Sequence, residues 1–318
     1  MIGLIAITPY HWAGFILVVL ILLSLDLGVF HRHAHVVTFK EALCWTLIWF
    51  ALSLGFCASL IRLRNREEAL EFFTGYIIEL SLSMDNVFVI ALIFAYFVVP
   101  LEFQHRVLFW GILGALVMRG AMIGLGAALI DRFDWVLYFL GGILLFTGFR
   151  MLFVGEKPPD PEKNIVVRLA RKFFPVTTEF QGQNFFAVAG GRTALTPLAL
   201  VLLMVETTDL VFAVDSIPAI FAVTKKPFIV FTSNVCAILG LRSLYFVLAG
   251  AIGFFRYLKV GLSLVLCFIG TKMLLGIWDI DIPITISLAV VASVILTSIL
   301  FSVIVERRER SRGGEPRK

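Results

Sequence analysis

The stretch ELSLSMDNVFVIAL, residues 79–92, places two carboxylates and one amide inside a run of mostly apolar residues. The whole chain has the same character, since 60% of its 318 residues are hydrophobic, 15% are charged and the mean hydropathy is +0.97. A soluble protein averages about 45–50% apolar and about 25% charged residues. An apolar run of about 18 residues or more is typical of a transmembrane helix. The stretch therefore predicts a polar site inside a membrane-spanning helix.

Nine apolar runs of this kind follow one another, and the charged residues gather between them. Each run is about twice as long as a strand of a membrane barrel, which needs about 9–11 residues. Since only helices and closed barrels satisfy the backbone inside lipid, the sequence predicts an all-α polytopic membrane protein of about nine transmembrane helices. The first run lacks a preceding basic region and a small-residue cleavage site, so we expect no cleavable signal peptide. The runs are approximately residues 12–30, 42–61, 72–97, 107–130, 135–153, 196–221, 228–252, 257–277 and 284–304.

Lysine and arginine are distributed unequally between the two sides of the predicted membrane. Of the 27 in the chain, seventeen fall in connections on one side, six on the other, and four within runs or at their ends. Because cytoplasmic connections carry the excess of positive charge, we expect a cytoplasmic C-terminus and an external N-terminus. The net charge of +5 and the isoelectric point of about 9.1 follow from this topology and give no reason to expect nucleic-acid binding.

An internal repeat relates spans 3–5 to spans 6–8. DNVFVIA from Asp85 resembles DLVFAVD from Asp209 after 124 residues, Arg119 corresponds to Arg242 after 123, and FTGFRML corresponds to FIGTKML after 122. Because each unit has three spans, the two units must cross the membrane in opposite directions, as in secondary transporters that bind substrate near the midplane. The predicted divisions are two N-terminal helices (1–71), the first three-helix repeat (72–153), a cytoplasmic loop (154–195), the second repeat (196–277), and the last helix with a basic tail (278–318).

The cytoplasmic loop contains a segment of mixed apolar and basic character. After a proline-rich, charged linker, NIVVRLARKFFP at 164–175 alternates apolar and basic residues at helical spacing. This pattern is typical of a short helix that lies at the membrane surface. Binding of a partner by the same segment is the alternative.

Five carboxylates lie inside the predicted spans, and two arginines oppose them at similar depth. An ionised carboxylate at the centre of a membrane helix costs about 2.5–3.5 kcal/mol on insertion scales, so we expect these groups to be functional. The formal charge of the seven groups is −3, which protons, a metal ion or both would compensate. The alternative is that the acids pair with the arginines and only fix helix packing. The carboxylates belong to Glu79, Asp85, Glu206, Asp209 and Asp215, and the arginines are Arg119 and Arg242.

The spacing of the acids restricts how one ion could be bound. Asp215 follows Asp209 by six residues, about 9 Å along a straight helix, and the same separation occurs in span 3. Metal–oxygen distances of about 2.0–2.6 Å do not bridge that gap. Either the helices are interrupted or there are successive sites, and Pro218 and Pro197 favour an interruption of span 6. The repeat makes Asp85 and Asp209 the pair expected to meet at the two-fold axis.

Oxygen atoms accompany these acids, whereas no histidine or cysteine stands beside them. An all-oxygen site suits Mg²⁺, Ca²⁺ or Mn²⁺ and disfavours zinc and copper. Asn86 is a further ligand candidate. Asn234 in the seventh span is a weaker one, with an interhelical hydrogen bond as its alternative. Hydroxyl groups close to the acids in sequence are those of Ser81, Ser83, Thr208 and Ser216.

Other polar groups point to no further chemistry. We interpret Asp26 as an interfacial residue and the run His31–His35 as a solvated flank, with metal collection as the alternative for the histidines. The four cysteines are expected to be small buried apolar groups. An enzyme is not expected, because the histidines lie outside the acidic core and no nucleophile–base arrangement is evident. No G-x-x-x-x-G-K-[ST] motif indicates ATP binding.

Three motifs closely resemble the TerC/Alx family of bacterial membrane proteins. They are GYIIELSLSMDNVFV at 75–89, the segment at 205–250 that begins VETTDLVFAVDSIP, and FIGTKML at 268–274. The resemblance extends from about the second span to the ninth. It implies a relation to the LysE group of exporters, which share inverted three-helix repeats, and a role in manganese homeostasis, chiefly Mn²⁺ export. The family is also associated by name with tellurium resistance. The motif acids carried over to this chain are Glu79 and Asp85 with Asn86, then Glu206, Asp209 and Asp215.

Residues and resemblance together predict a transporter of the bacterial inner membrane that exports Mn²⁺ by alternating access through a midplane carboxylate site. Arg119 and Arg242 would hold neighbouring acids and compensate charge in the empty state. Proton counter-transport is left open. No permanently bound cofactor is expected; the expected partners are the divalent ion, protons and the lipid bilayer. The alternative is a non-transporting membrane organiser or resistance-complex component that acts through protein partners bound by the 154–195 loop.

Overall fold

The structure is a computed structural model that describes residues 7–25, 37–153, 162–189, 191–249 and 257–311. Asp26, the run His31–His35, most of the proline-rich linker and the end of the basic tail lie outside the described residues. The predictions for these segments therefore stay predictions.

Eleven α-helices, one 3₁₀ turn and one β-hairpin make up the described chain. The all-α prediction is confirmed, because the only sheet in the described ranges is this two-stranded antiparallel hairpin. The helices are α1 (Pro9–Leu25), α2 (Phe39–Leu63), α3 (Arg66–Tyr96), α4 (Leu101–Arg132), α5 (Trp135–Phe153), α6 (Ile165–Phe173), α7 (Pro197–Phe221), α8 (Pro227–Leu239), α9 (Leu241–Ala249), α10 (Leu258–Leu275) and α11 (Ile284–Ser311). The strands are β1 (Phe186–Ala189) and β2 (Arg192–Leu195), and the 3₁₀ turn is Gly276–Trp278.

Seven of the described helices are long and apolar enough to cross a membrane, and the bent pair α8–α9 would be an eighth if its two helices form one span. The chain is therefore an integral membrane protein. Helix α1 is apolar but shorter, so the ninth predicted span stays a prediction. Apolar side chains on α2 and α11 are largely exposed, as expected for helices that face lipid, whereas α3 is the most buried of the long helices.

Polar residues set the helix ends. Thr38 caps α2 and forms a capping box with Glu41, and the side chain of Asn65 accepts a hydrogen bond from the Glu68 N–H at the start of α3. Thr196 caps α7 in the same way. Such caps satisfy N–H groups that have no partner within the helix. They mark where α2, α3 and α7 begin.

Helix α7 is continuous, so the interruption expected in span 6 is not observed. Pro197 occupies the first turn of α7, where the missing N–H would have had no helical partner. Pro218 lies in the last turn, and α7 ends three residues later at Phe221. The break is in the seventh span instead, where α8 and α9 meet at an angle of 42° around Gly240. Helix α3 is also continuous.

Helices α5 and α10 approach closely through glycines of the repeated motif. A Cβ atom on Gly148 would lie 2.6 Å from Cys267 Sγ and 2.9 Å from the Ser263 carbonyl oxygen. A Cβ atom on Gly270 would lie 2.7 Å from both the carbonyl oxygen of Gly141 and the N–H nitrogen of Leu145. The repeat offset of 122 residues relates positions 141, 145 and 148 of α5 to positions 263, 267 and 270 of α10. The contacts of Gly148 with 263 and 267 are therefore equivalent to those of Gly270 with 141 and 145. A two-fold axis between the predicted repeats would produce these reciprocal, antiparallel contacts.

Candidate functional site

A single buried arginine joins three helices at the centre of the molecule. Arg119 of α4 is 1% exposed. Its Nε and Nη2 donate to the two carboxylate oxygens of Asp209 on α7, at 3.1 and 2.7 Å. Its Nη1 forms an ion pair with Glu79 of α3 and lies 3.3 Å from Ser216 Oγ. The guanidinium therefore holds one carboxylate from each predicted repeat.

The charges of this cluster do not balance. Two carboxylates share one guanidinium, and the side chains of Glu79 and Asp209 are 1% and 11% exposed. If all three groups are ionised, the cluster carries a net charge of −1. Taking charges out of water costs several kcal/mol per ion even after relaxation, and the bidentate contact with Asp209 offsets part of that cost. A further proton or cation would complete the neutralisation.

Several buried polar atoms of α3 and α8 lack hydrogen-bond partners in the described part of the chain. On α3, Glu79 Oε2, Ser83 Oγ and Asn86 Oδ1 are buried without a partner. Their spacing of four and three residues places them along one face of the helix. Asn234 on α8 is fully buried, and neither of its amide atoms has a partner. Such groups cost about 1–3 kcal/mol each and call for a specific explanation.

Asn86 connects this face of α3 to the arginine cluster. Its Nδ2 donates to Asp209 Oδ1 at 3.5 Å, a long contact that leaves Oδ1 of the amide as an acceptor. Asp85, the predicted partner of Asp209, is half-buried on the neighbouring position of α3. The amide of Asn86 thus contacts Asp209 from this part of α3, and the meeting of Asp85 and Asp209 stays a prediction.

The other two predicted acids of α7, Glu206 and Asp215, contact helices α4 and α5. Glu206, one turn before Asp209, packs against α4 at Gly114, where its carboxylate occupies the space that a Cβ atom would need. Asp215 accepts a hydrogen bond from Thr147 Oγ1 of α5 at 3.0 Å. The described ranges contain no group of three or more His, Cys, Asp or Glu side chains that could hold one ion. The metal site predicted from these acids therefore stays a prediction.

Arg242 lies at the start of α9, directly after the bend. It is 5% exposed, and its Nη1 lies 3.2 Å from His105 Nε2 of α4. On the same side of the membrane, Tyr245 of α9 donates to the side chain of Gln104 at 3.0 Å. These contacts join α9 to the first turn of α4.

Three residues that contact predicted site residues were not singled out by the sequence. Thr147 lies in the repeated motif FTGFRML, so a hydroxyl in that motif was a usable signal. Gly114 lies five positions before Arg119 and gave no local signal, because its role depends on a contact between helices. His105 follows the start of α4 and is brought to Arg242 only by the bend at Gly240.

A polar cavity of about 500 Å³ opens at the end of the bundle where α3 begins and α7 ends. It is lined by carboxylates and lysines together, notably Glu71, Lys225 and Lys272. At its edge the Nζ of Lys226 lies 3.1 Å from Glu71. By the charge asymmetry of the connections, this end is predicted to face away from the cytoplasm.

Residues 64–310 match the model of the TerC family of integral membrane proteins. The chain belongs to this family. The matched region contains every predicted site residue and begins directly after α2, so that it excludes α1 and α2. The resemblance carried by the three sequence motifs is confirmed.

Relatives of similar length extend this result. The chain is 52% identical over 300 residues to the uncharacterised membrane protein STKORF319 of Myxococcus xanthus, covering 94% of both chains. It is 46% identical over 317 residues to Alx of Escherichia coli (strain K12), a proposed membrane-bound redox modulator, covering 96% of this chain and 98% of the relative. It is 41% identical over 293 residues to an uncharacterised membrane protein of Rickettsia bellii, covering 92% and 97%. No solved structure matches the chain.

Proposed function

We propose that this TerC-family protein is a secondary transporter that exports Mn²⁺ from the cytoplasm across the bacterial inner membrane. The observation that carries the proposal is the shared guanidinium of Arg119, which holds Glu79 and Asp209 from the two predicted repeats. Two buried carboxylates that meet between inverted repeats are suited to a cation at the midplane. In the proposed orientation the N-terminus is external and the C-terminus cytoplasmic.

In the proposed cycle Arg119 takes the place of the ion when the site is empty. A divalent cation that approaches Asp209 would displace the guanidinium and gain carboxylate oxygens together with acceptors of α3. Glu79 Oε2, Ser83 Oγ and Asn86 Oδ1 are buried and without partners, so a cation could bind them without first breaking a hydrogen bond. Oxygen donors of this kind suit Mn²⁺, Mg²⁺ and Ca²⁺. The choice of Mn²⁺ among them rests on the family resemblance.

Proton counter-transport is part of the proposal because Glu206 has no cationic partner among the described residues. Glu206 lies one turn from Asp209, and no hydrogen bond or ion pair of its side chain is found among the described residues. A carboxyl group in that position can take up a proton when the metal leaves and release it when the metal returns. The cavity beside Glu71 would serve as the exit path on the far side.

The test is manganese transport by the purified full chain in liposomes. We expect the wild type to move Mn²⁺ down an imposed gradient, and Asp209→Asn and Glu79→Gln to reduce the rate at least tenfold. Asp131→Asn is the matched control, because Asp131 is exposed at the far end of α4. Mg²⁺ and Ca²⁺ in excess measure selectivity.

Two results would count against the proposal in different ways. A wild type that moves no divalent cation would refute transport and favour the membrane organiser, whose function would depend on the 154–195 loop. Undiminished transport by both variants would show that a transporter exists but that its site lies elsewhere. Stabilisation of the detergent-solubilised protein by Mn²⁺, measured by thermal unfolding, separates loss of binding from loss of folding.

A further inference from the structure

Helix α6 and the hairpin that follows it form a unit at one end of the bundle. Val167 of α6 is 1% exposed and packs in the same apolar cluster as Leu195 and Leu198, at the end of β2 and the start of α7. The helix begins with Asn164, whose side chain accepts hydrogen bonds from two N–H groups of the first turn. Helix α6 is thus a fixed element and confirms the helix predicted in this loop.

The two remaining faces of α6 differ in chemistry, and both are exposed. At 100° per residue, Val166, Leu169 and Phe173 share one arc, and they are 40%, 46% and 70% exposed. Arg171, Arg168 and Lys172 share a second arc, with Arg171 most nearly opposite the apolar arc, and all three basic side chains are exposed. A helix with one apolar and one basic arc is typical of membrane interfaces.

Contacts with the bundle fix the level at which this unit lies. The Arg106 guanidinium of α4 is 5.5 Å from the centre of the Phe185 ring, and Phe103 packs against Phe180 at 6.1 Å between ring centres. These contacts are made by the first two turns of α4, and α6 packs beside the first turns of α7. The unit therefore covers the N-terminal ends of two transmembrane helices, α4 and α7.

We infer that α6 lies in the membrane interface and binds anionic phospholipid. Val166, Leu169 and Phe173 enter the acyl-chain region, and Arg168, Arg171 and Lys172 contact headgroup phosphates. The bilayer is the occupant that reaches this level around any integral membrane protein. Charge complementarity supports anionic headgroups, since residues 162–195 contain five basic and two acidic side chains. This site is separate from the proposed ion site and does not depend on which ion is carried.

The position of α6 in the bilayer can be measured with added tryptophans in the full chain. Phe173→Trp and Lys172→Trp are reconstituted in liposomes of three parts phosphatidylcholine to one part phosphatidylglycerol, with or without lipids brominated near the headgroup. The fluorescence of the six native tryptophans is measured in the wild-type protein and subtracted from that of each variant. We expect brominated lipid to quench the tryptophan at position 173 at least twofold more than that at position 172. Equal quenching at both positions, or quenching at 173 only by aqueous acrylamide, would overturn the inference.

A different occupant gives a different result. If a second copy or another protein covers the apolar arc, neither brominated lipid nor acrylamide quenches the tryptophan at position 173, and the inference fails.

The headgroup preference needs a second measurement. The variant Arg168→Gln/Arg171→Gln/Lys172→Gln is titrated with phosphatidylglycerol or phosphatidylcholine, and bound lipid is counted by native mass spectrometry. Near an anionic surface each basic residue contributes about a fivefold gain in affinity, so the variant should lose phosphatidylglycerol binding at about that rate per charge. The control Arg62→Gln/Arg132→Gln/Lys225→Gln removes the same charge at the opposite end of the bundle. Wild-type affinity in the α6 variant, or equal affinity of the wild type for the two lipids, would refute the anionic site.

Discussion

Removing the charge of Arg119 should show how much the stability of the helix bundle depends on that charge. In Arg119→Gln, the carboxylates of Glu79 and Asp209 lose their common cation, and Asp209 loses a bidentate contact. Removal of one partner from a buried ion pair costs about 3–5 kcal/mol, because the remaining charge is left uncompensated. Here two carboxylates are left, so we expect a loss of stability at the upper end of that range.

The measurement is reversible unfolding of the full chain by sodium dodecyl sulfate in mixed micelles. Arg132→Gln is the matched control, because it removes the same charge from an exposed position at the end of the same helix. Neutralising the acids in the triple variant Arg119→Gln/Glu79→Gln/Asp209→Asn should recover most of the loss, since neutral amides need no cation. The single variant should also gain more stability from Mn²⁺ than the wild type, because the ion can replace the lost charge.

The reasoning fails if Arg119→Gln unfolds within about 0.5 kcal/mol of the control, a difference typical of a neutral surface substitution. It also fails if the triple variant is no more stable than the single variant. In that case the cost would arise from packing around the arginine stem and not from unpaired charge.

Four further substitutions test three separate contacts. Gly114→Ala should displace the Glu206 carboxylate and slow manganese transport in liposomes severalfold. The control is Gly124→Ala on the same helix, where a Cβ atom meets nothing within 4 Å. Equal transport rates of the two variants would show that the position of Glu206 is unimportant. Thr147→Val removes the donor to Asp215 and should lower the free energy of unfolding by about 1–3 kcal/mol, and an unchanged value in the same detergent titration would mean that this acid is satisfied without it. Gly148→Ala and Gly270→Ala should each destabilise the α5–α10 contact by about 1–3 kcal/mol, because each overpacks a close interface. Gly142→Ala is the control, since a Cβ atom there meets nothing within 4 Å. A large effect at only one of the two glycines would contradict the reciprocal packing.

The sequence predicted the long elements well because hydropathy is a property of whole runs of residues. Eight of the nine predicted runs correspond to seven long helices and one bent pair, and α6 was found from its alternation of apolar and basic residues. Local rules were less successful. Pro218 suggested a broken helix but lies in the last turn of α7, where little helix remains to be disturbed. The bend between α8 and α9 falls at Gly240, a glycine that the sequence patterns did not single out.

The partners of the buried acids could be predicted only as a set. Sequence fixes the depth of each side chain along its helix, but it does not fix how neighbouring helices rotate and tilt. Thus Arg119 was expected near several acids, and the structure selects Glu79 and Asp209 while Asp215 turns to Thr147. The hairpin was missed although two glycines join strands β1 and β2. Gly191 has a φ of 76°, a conformation that favours glycine and closes the two-residue turn.

The exchange of glycine contacts between α5 and α10 limits what half of this protein could do alone. Gly148 in the first predicted unit packs against α10 of the second, and Gly270 in the second packs against α5 of the first. A single unit expressed alone would expose its own glycine and the helix surface that normally contacts the glycine of the other unit. It could bury them only against another copy inserted in the membrane upside down, because the two helices run antiparallel. If the two predicted repeats are oppositely oriented, joining them in one chain removes the need for dual insertion and supplies one partner of each orientation.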